Sequence, residues 1–194
     1  MVLPGEYQVA LVVNGKEAAT AKVRVSGEPD VVISDADRKA RFDVLKDAQG
    51  LASQVQLAAA AIRRVDAQLT QIKGAMGDSA SVPAGIRTVL DSTMKLLEPI
   101  KKKFGIGLDF NSPTFDFNEF RKALTFRATT AGGSIDAATV RPSEVDLRQL
   151  SELRAEVPGA VAEVNDFLGR LPALYKLLAD AGVYPAAPKP IKQP

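Results

Sequence analysis

The chain has 194 residues, of which 46% are apolar and 25% charged, with a formal net charge of +2. That balance supports a packed core and excludes both a disordered chain and a partner chosen by strong charge alone, so no nucleic acid is implied. With no Cys and no His, the sequence lacks thiol nucleophiles, disulfides, thiolate zinc ligands, imidazole bases and the Ser-His-Asp arrangement.

The first element is a β-hairpin. Tyr7, Val9, Leu11 and Val13 alternate with Gln8, Ala10 and Val12, the period of a strand with one face more apolar than the other. Asn14-Gly15 marks the turn. A two-residue loop would set Val13, Leu11 and Val9 opposite Lys16, Ala18 and Thr20. A three-residue loop, Asn14-Gly15-Lys16, sets Tyr7, Val9 and Leu11 beside Val23, Ala21 and Ala19, and the apolar face favours this second register. Pro4-Gly5 and Gly27-Glu28-Pro29 bound the pair. No further strand is legible downstream, and two strands make a marginal sheet.

From Ile33 the apolar period lengthens to that of a helix. Ser34 with Asp37 forms a variant capping box, and the stripe Phe42, Leu45, Ala48, Ala52, Val55, Ala59, Ile62, Val65, Leu69, Ile72, Met76 predicts a helix over 34–76, roughly 60 Å long at ~1.5 Å per residue. Ala48, Ala52 and Ala59 leave room for a neighbouring helix. Pro83 opens a second helix over 84–104, with Ile86, Val89, Leu90, Thr93, Leu97, Ile100 and Phe104 on its face, a bend at Pro99 and Gly105 at its close. Asp116 with Glu119 caps a third, 117–138, carrying Phe117, Phe120, Leu124 and Ile135 and weakened by Gly132-Gly133. Pro142-Ser143 and Asp146 open a fourth, 144–182, with Leu147, Leu150, Leu153, Val157, Val161, Val164, Leu168, Leu171, Leu174 and Leu178, and Pro158-Gly159 predicts a kink within it. The fold expected is mainly α: an antiparallel four-helix bundle of two long and two shorter helices over 31–184, preceded by the hairpin in 1–30 and followed by a Pro-rich extended tail over 185–194.

The polar motifs favour structural roles. In LDFNSPTFDFN, Asp109, Asn111, Asp116 and Asn118 offer oxygens to calcium, but an EF-hand loop counted from Asp109 has Thr114 where Gly is needed and Phe120 where Glu is needed. The alternative is that Phe110, Phe115, Phe117 and Phe120 pin a crossover loop to the bundle while Asp116 caps a helix. Lys101-Lys102-Lys103 lacks interleaved aromatics and fits a helix C-terminus, where the macrodipole favours cations by about 0.3–1 kcal/mol each. Arg63-Arg64 beside Asp66 and Arg38-Lys39 near Asp35 read as surface charge. No catalytic constellation, metal site or cofactor site emerges, no run approaches the ~18–20 apolar residues of a membrane span, and no secretory leader is expected from the charged-then-apolar pattern such a segment needs.

Two blocks carry a resemblance. PGEYQVALVVNGKEAATAKVRVSGEPD resembles the closing strands of the immunoglobulin-like segment found late in secreted bacterial β-propeller proteins of the sortilin-like, BNR/Asp-box type, often labelled glycosyl hydrolases. RPSEVDLRQLSELRAEVPGAVAEVNDFLGRLPALYKLLADAGVYP resembles their helical end, especially in RPS, the spaced leucines and LPAL followed by LLADAGV. The resemblance implies an extracellular or periplasmic C-terminal module whose partner is the propeller or immunoglobulin-like portion of a parent protein. Asp-box blades carry repeated Ser/Asp/Gly/Trp signatures, and this chain has no Trp and no such repeat, so no functional residue is carried over and no enzyme activity is expected. The expected function is a non-catalytic accessory or scaffold module, with a self-standing adaptor that accepts a strand at the hairpin edge as the alternative. Tyr7, Val9 and Leu11 form the expected interaction surface. They are expected to be covered by the helical bundle or by a second copy in a homodimer, with the bundle favoured.

Overall fold

A computed structural model describes residues 2–77, 82–137 and 139–183. The chain is mainly helical with an antiparallel hairpin at its N-terminus, in the order β1 (Gly5–Val13), β2 (Lys16–Val25), α1 (Asp35–Met76), α2 (Ala84–Phe104), α3 (Phe117–Lys122), α4 (Leu124–Thr130), α5 (Gly133–Ala137) and α6 (Glu144–Asp180). The expected tail over 185–194 lies outside the described residues. By compactness the chain divides into two units, Met1–Gly50 with Thr130–Glu152 and Leu51–Thr129 with Leu153–Pro194.

In the first unit, α1 begins at its capping box. The Ser34 hydroxyl donates to Asp37 Oδ2 at 2.7 Å, and the Asp37 amide donates back to Ser34 Oγ at 3.1 Å, covering one of the orphan amides of a helix start. Ser143 and Asp146 repeat the motif at the start of α6, with amide and hydroxyl of Ser143 both donating to Asp146 Oδ2. Between β2 and α1 runs an exposed or half-exposed tether over 26–34, in which a Cβ on Gly27 would stand 3.1 Å from the Arg38 guanidinium. Arg41 is the one buried charged residue among those described. Its Nε donates to the Ile135 carbonyl at 3.0 Å and its Nη2 to the Asp136 carbonyl at 3.1 Å, which ties α5 to α1 by satisfying carbonyls at the end of a short helix. Ala48 on the same face lies where a Cβ on Gly132 would meet it at 3.6 Å, so a small-residue approach does occur there.

In the second unit three helical stretches share one core. Lys73 pairs with Asp91 at 2.7 Å and Lys101 with Asp66 at 3.0 Å, so α1 and α2 run antiparallel. The Gln56 amide donates to Thr129 Oγ1 and Arg127 pairs with Glu156, while farther along the Tyr175 hydroxyl donates to Gln68, so α1 and α6 point the same way. Val55, Ile62, Leu69 and Ile72 of α1, Leu90, Leu97 and Phe104 of α2, and Leu153, Val157 and Leu178 of α6 are buried. Burying one such side chain stabilises by about 1.5–3 kcal/mol, which explains why α2 continues through Pro99 and α6 through Pro158 and Pro172.

Two expectations change. The third helix, expected over 117–138, is three short helices, because Ala123 takes an extended conformation (φ −60°, ψ 137°) and Gly132 interrupts the chain again. Ala123 is buried beneath the α2 C-cap, where Gly105 has φ +68° and a Cβ would stand 2.6 Å from the Ala123 Cβ; the Gly105 and Ile106 amides close α2 onto the Lys102 and Lys101 carbonyls. Four antiparallel helices are therefore not the arrangement found.

Candidate functional site

The hairpin leaves apolar surface uncovered over a whole face, whereas elsewhere among the described residues exposed apolar side chains include Leu57, Leu96, Phe110 and Phe117. Asn14 (φ 51°) and Gly15 (φ 76°) are both left-handed, the two-residue turn whose twist matches the flanking strands. Val13 pairs with Lys16 and Val12 with Glu17, yet Leu11 pairs with Ala19, so Ala18 is an extra residue bulged out of β2. Beyond the bulge, Leu11, Val9 and Tyr7 face Ala19, Ala21 and Val23. This is the expected register reached by another route: the loop has two residues, not three, and the bulge supplies the one-residue offset that keeps the apolar positions together.

One face of the ribbon carries Tyr7, Val9, Leu11 and Val13 with Ala19, Ala21 and Val23, and with Lys16 opposite Val13 beside the turn, and the other carries Glu6 opposite Arg24, Gln8 opposite Lys22, Ala10 opposite Thr20 and Val12 opposite Glu17. The Tyr7 hydroxyl donates to the Leu3 carbonyl at 2.6 Å, laying the ring along the base of the hairpin. Every residue of β1, and all of β2 except Val25, is exposed. Tyr7 is 37% exposed, Val9 49% and Leu11 60%, so the expected cover by the helical bundle is absent. The physical reason is strand count: the hairpin satisfies its own inner hydrogen bonds but no third strand or sheet layer lies against it among the described residues.

The two edges of this ribbon differ. From Tyr7 to Val13, β1 carries no charge, whereas β2 carries Lys16, Glu17, Lys22, Arg24 and the bulge at Ala18. Edge lysines and bulges are features that resist strand addition.

The other sequence candidates resolve into structural roles. Asp109 accepts from the Asn111 amide and Asp116 from the Asn118 and Glu119 amides, so these carboxylates close turns and cap α3. Phe110, Phe115, Phe117 and Phe120 do cluster, with Phe120 reaching Phe126 of α4 at 4.9 Å between centroids. None of the four is buried, however, so they form a surface cluster rather than pins in a core. Arg121 stands over the Phe117 ring at 5.9 Å. The lysine triplet is internally matched: Lys101 to Asp66 and Glu98, Lys102 to Glu119 at 3.6 Å, Lys103 to Glu163. Burial lowers the Lys101 pKa, but hydrogen bonds and charge from Glu98 and Asp66 outweigh it and hold the group above the ordinary lysine value. The hydrogen bond from Lys122 lowers the Glu119 pKa, helped by the charges of Lys122 and Lys102. Each cation of the triplet therefore has a carboxylate in place of a phosphate.

A cleft of about 420 Å³ lies between α2 and α6, lined by Leu96, Pro99 and Phe167 and by Glu163, Asp166 and Arg170, with the Glu163 carboxylate paired to Lys103. Among the described residues no group of three or more Asp or Glu could hold a metal ion, and no helix is long and apolar enough to cross a membrane. Sequence reasoning found the hairpin face but missed Arg41, whose position one turn before Leu45 was the available signal. Compared with models of known families, with curated proteins and with solved structures, the chain has no match in any of the three.

Proposed function

We propose that this chain is a non-catalytic helical accessory module that joins another β-structured protein through its N-terminal hairpin. The observation that carries the reading is the exposure of Tyr7, Val9 and Leu11 on one apolar face of a two-stranded sheet with open edges. A ribbon with one apolar and one polar face is half of a β-sandwich corner: its edge continues a sheet and its apolar side covers a second layer. The helical part is a scaffold of bundle type in which α3, α4 and α5 stand in place of one continuous helix. The partner in this proposal is the immunoglobulin-like portion of a secreted β-propeller protein, of which this chain is the C-terminal part, acting outside the cytoplasm; the quoted resemblance of the hairpin and of α6 supports that assignment.

A second reading, a self-standing adaptor that accepts a partner's strand, is favoured by the uncharged run from Tyr7 to Val13 on β1. The coding sequence immediately upstream of Met1 separates the two. An in-frame β-rich segment, expressed separately, should bind the intact chain and fail to bind a variant carrying Val9→Lys and Leu11→Lys. A start codon at Met1 with no such segment in frame removes the parent-protein reading, and an upstream segment that binds the chain lacking residues 1–27 equally well removes the hairpin as the joining surface.

A further inference from the structure

We infer that the isolated chain forms a symmetric dimer by antiparallel pairing of β1 with β1 of a second copy, giving the four-stranded order β2-β1-β1-β2. The inference rests on the reading of the hairpin as an interaction surface and adds which edge is used and by what. Three features of the ribbon lead to it.

The first is the asymmetry of its edges. An unpaired strand is a template for another strand unless charge, proline or a bulge obstructs it. On β2, Lys16, Lys22 and Arg24 and the bulge at Ala18 obstruct it, whereas β1 offers seven consecutive uncharged residues, Tyr7–Val13, without proline. Only β1 presents an unguarded edge.

The second is self-complementarity. A twofold axis perpendicular to the sheet keeps each face on its own side, so residues of the same parity meet. Centred on Val9, the middle of the nine-residue strand, this sets Tyr7 against Leu11 of the partner subunit, Gln8 against Ala10 of the partner subunit and Glu6 against Val12 of the partner subunit. No like charges oppose each other, and the two apolar faces become one. The same operation on β2 would have to cross the bulge at Ala18, which breaks the register between Lys16 and Thr20.

The third is strand count. Two strands are marginal in water and four are not, so pairing stabilises the hairpin itself as well as the dimer. The contact is small. A single strand edge falls below the ~1,200 Å² of stable interfaces, so the dimer belongs to the weak class and its population must rise with concentration.

The experiment is sedimentation velocity on the full chain over a wide concentration range, with Val9→Lys and Val9→Glu variants. The native chain should shift from monomer to dimer as concentration rises. Each variant alone places like charges against each other at the axis and should remain monomeric. An equimolar mixture of the two should recover dimer, which a merely unfolded hairpin would not do. A native chain that stays monomeric throughout, variants that dimerise as the native chain does, or a mixture that fails to recover dimer overturns the inference. A monomeric native chain that nevertheless binds an upstream β-rich segment through Val9 and Leu11 would overturn this inference alone and leave the proposed function standing.

Discussion

The hairpin and the second helical unit use the same kinds of apolar residue to opposite ends. Val9 and Leu11 stay largely exposed, while Val55 and Leu69 in α1 are wholly buried. The difference lies in what each element can do within one chain. A helix stripe needs only another stripe, and Ala84–Phe104 and Glu144–Asp180 supply two. A sheet face needs a layer, and its edges need strands, neither of which the described residues provide. The lesson is that the helical unit closes a core within the chain, whereas the hairpin leaves its apolar face open among the described residues.

That contrast can be broken by mutation, beginning with its strongest side. Phe104→Ala removes a fully buried ring at the end of α2 and should cost about 3–5 kcal/mol in chemical denaturation. A loss below 1 kcal/mol would show that the helical core is not what holds this unit together. Gly105→Ala should cost about 1–3 kcal/mol, since it puts a side chain at positive φ and drives a Cβ into Ala123. Ser34→Ala, which removes the cap of α1, should cost about 1 kcal/mol, and Ser34→Asp should restore most of it.

Alkaline pH gives a smaller effect confined to the helical unit. Lys101 has its pKa raised by Glu98 and Asp66 against the pull of burial, so its contribution is fully present below the unfolded value of about 10.4 and is lost as pH rises through the folded one. Burial raises the Tyr175 pKa, so above about pH 10 the unfolded state gives up its proton more readily and stability again falls. Thermal melts should therefore be flat near neutrality and decline above pH 10, and Lys101→Met with Tyr175→Phe should flatten that decline. The smallest effect belongs to the hairpin. Deleting residues 1–27 should leave the helical melting curve of the monomer within about 0.5 kcal/mol of the original, because nothing in β1 is buried. A marked drop would restore the docked hairpin that the sequence led one to expect.

Local structure was legible wherever one residue type dictates one outcome. Asn14-Gly15 announced its turn, Ser34 and Asp37 their cap, and Gly105 the end of α2, each through backbone chemistry that needs no distant partner. The buried faces of α1, α2 and α6 followed largely from periodicity, with small misplacements: Val89 and Leu147 are exposed, and Leu51, Ala58, Ala160 and Phe167 are buried without having been counted. What escaped was set by tertiary contact. The break at Ala123 depends on Gly105 pressing from another element, and the bulge at Ala18 depends on the competition between a two-residue turn and the apolar register. The candidate surface was legible as an apolar face at Tyr7, Val9 and Leu11. Whether that face is covered depends on the rest of the molecule, and pattern alone favoured the wrong side.

The tether between β2 and α1 has a consequence for proteolysis. From Val25 to Asp37 the sequence VSGEPDVVISDAD contains no Lys or Arg, although Val32 is fully exposed. Trypsin therefore finds no bond to cut in this segment, and the sites that flank it are Arg24, inside β2, and Arg38, inside α1. Cleavage needs several residues in an extended, unpaired form, so cutting at Arg24 waits until β2 lifts from β1. The rate at which Arg24 is cut becomes a clock for strand opening, and it should slow whenever a partner strand holds the ribbon closed.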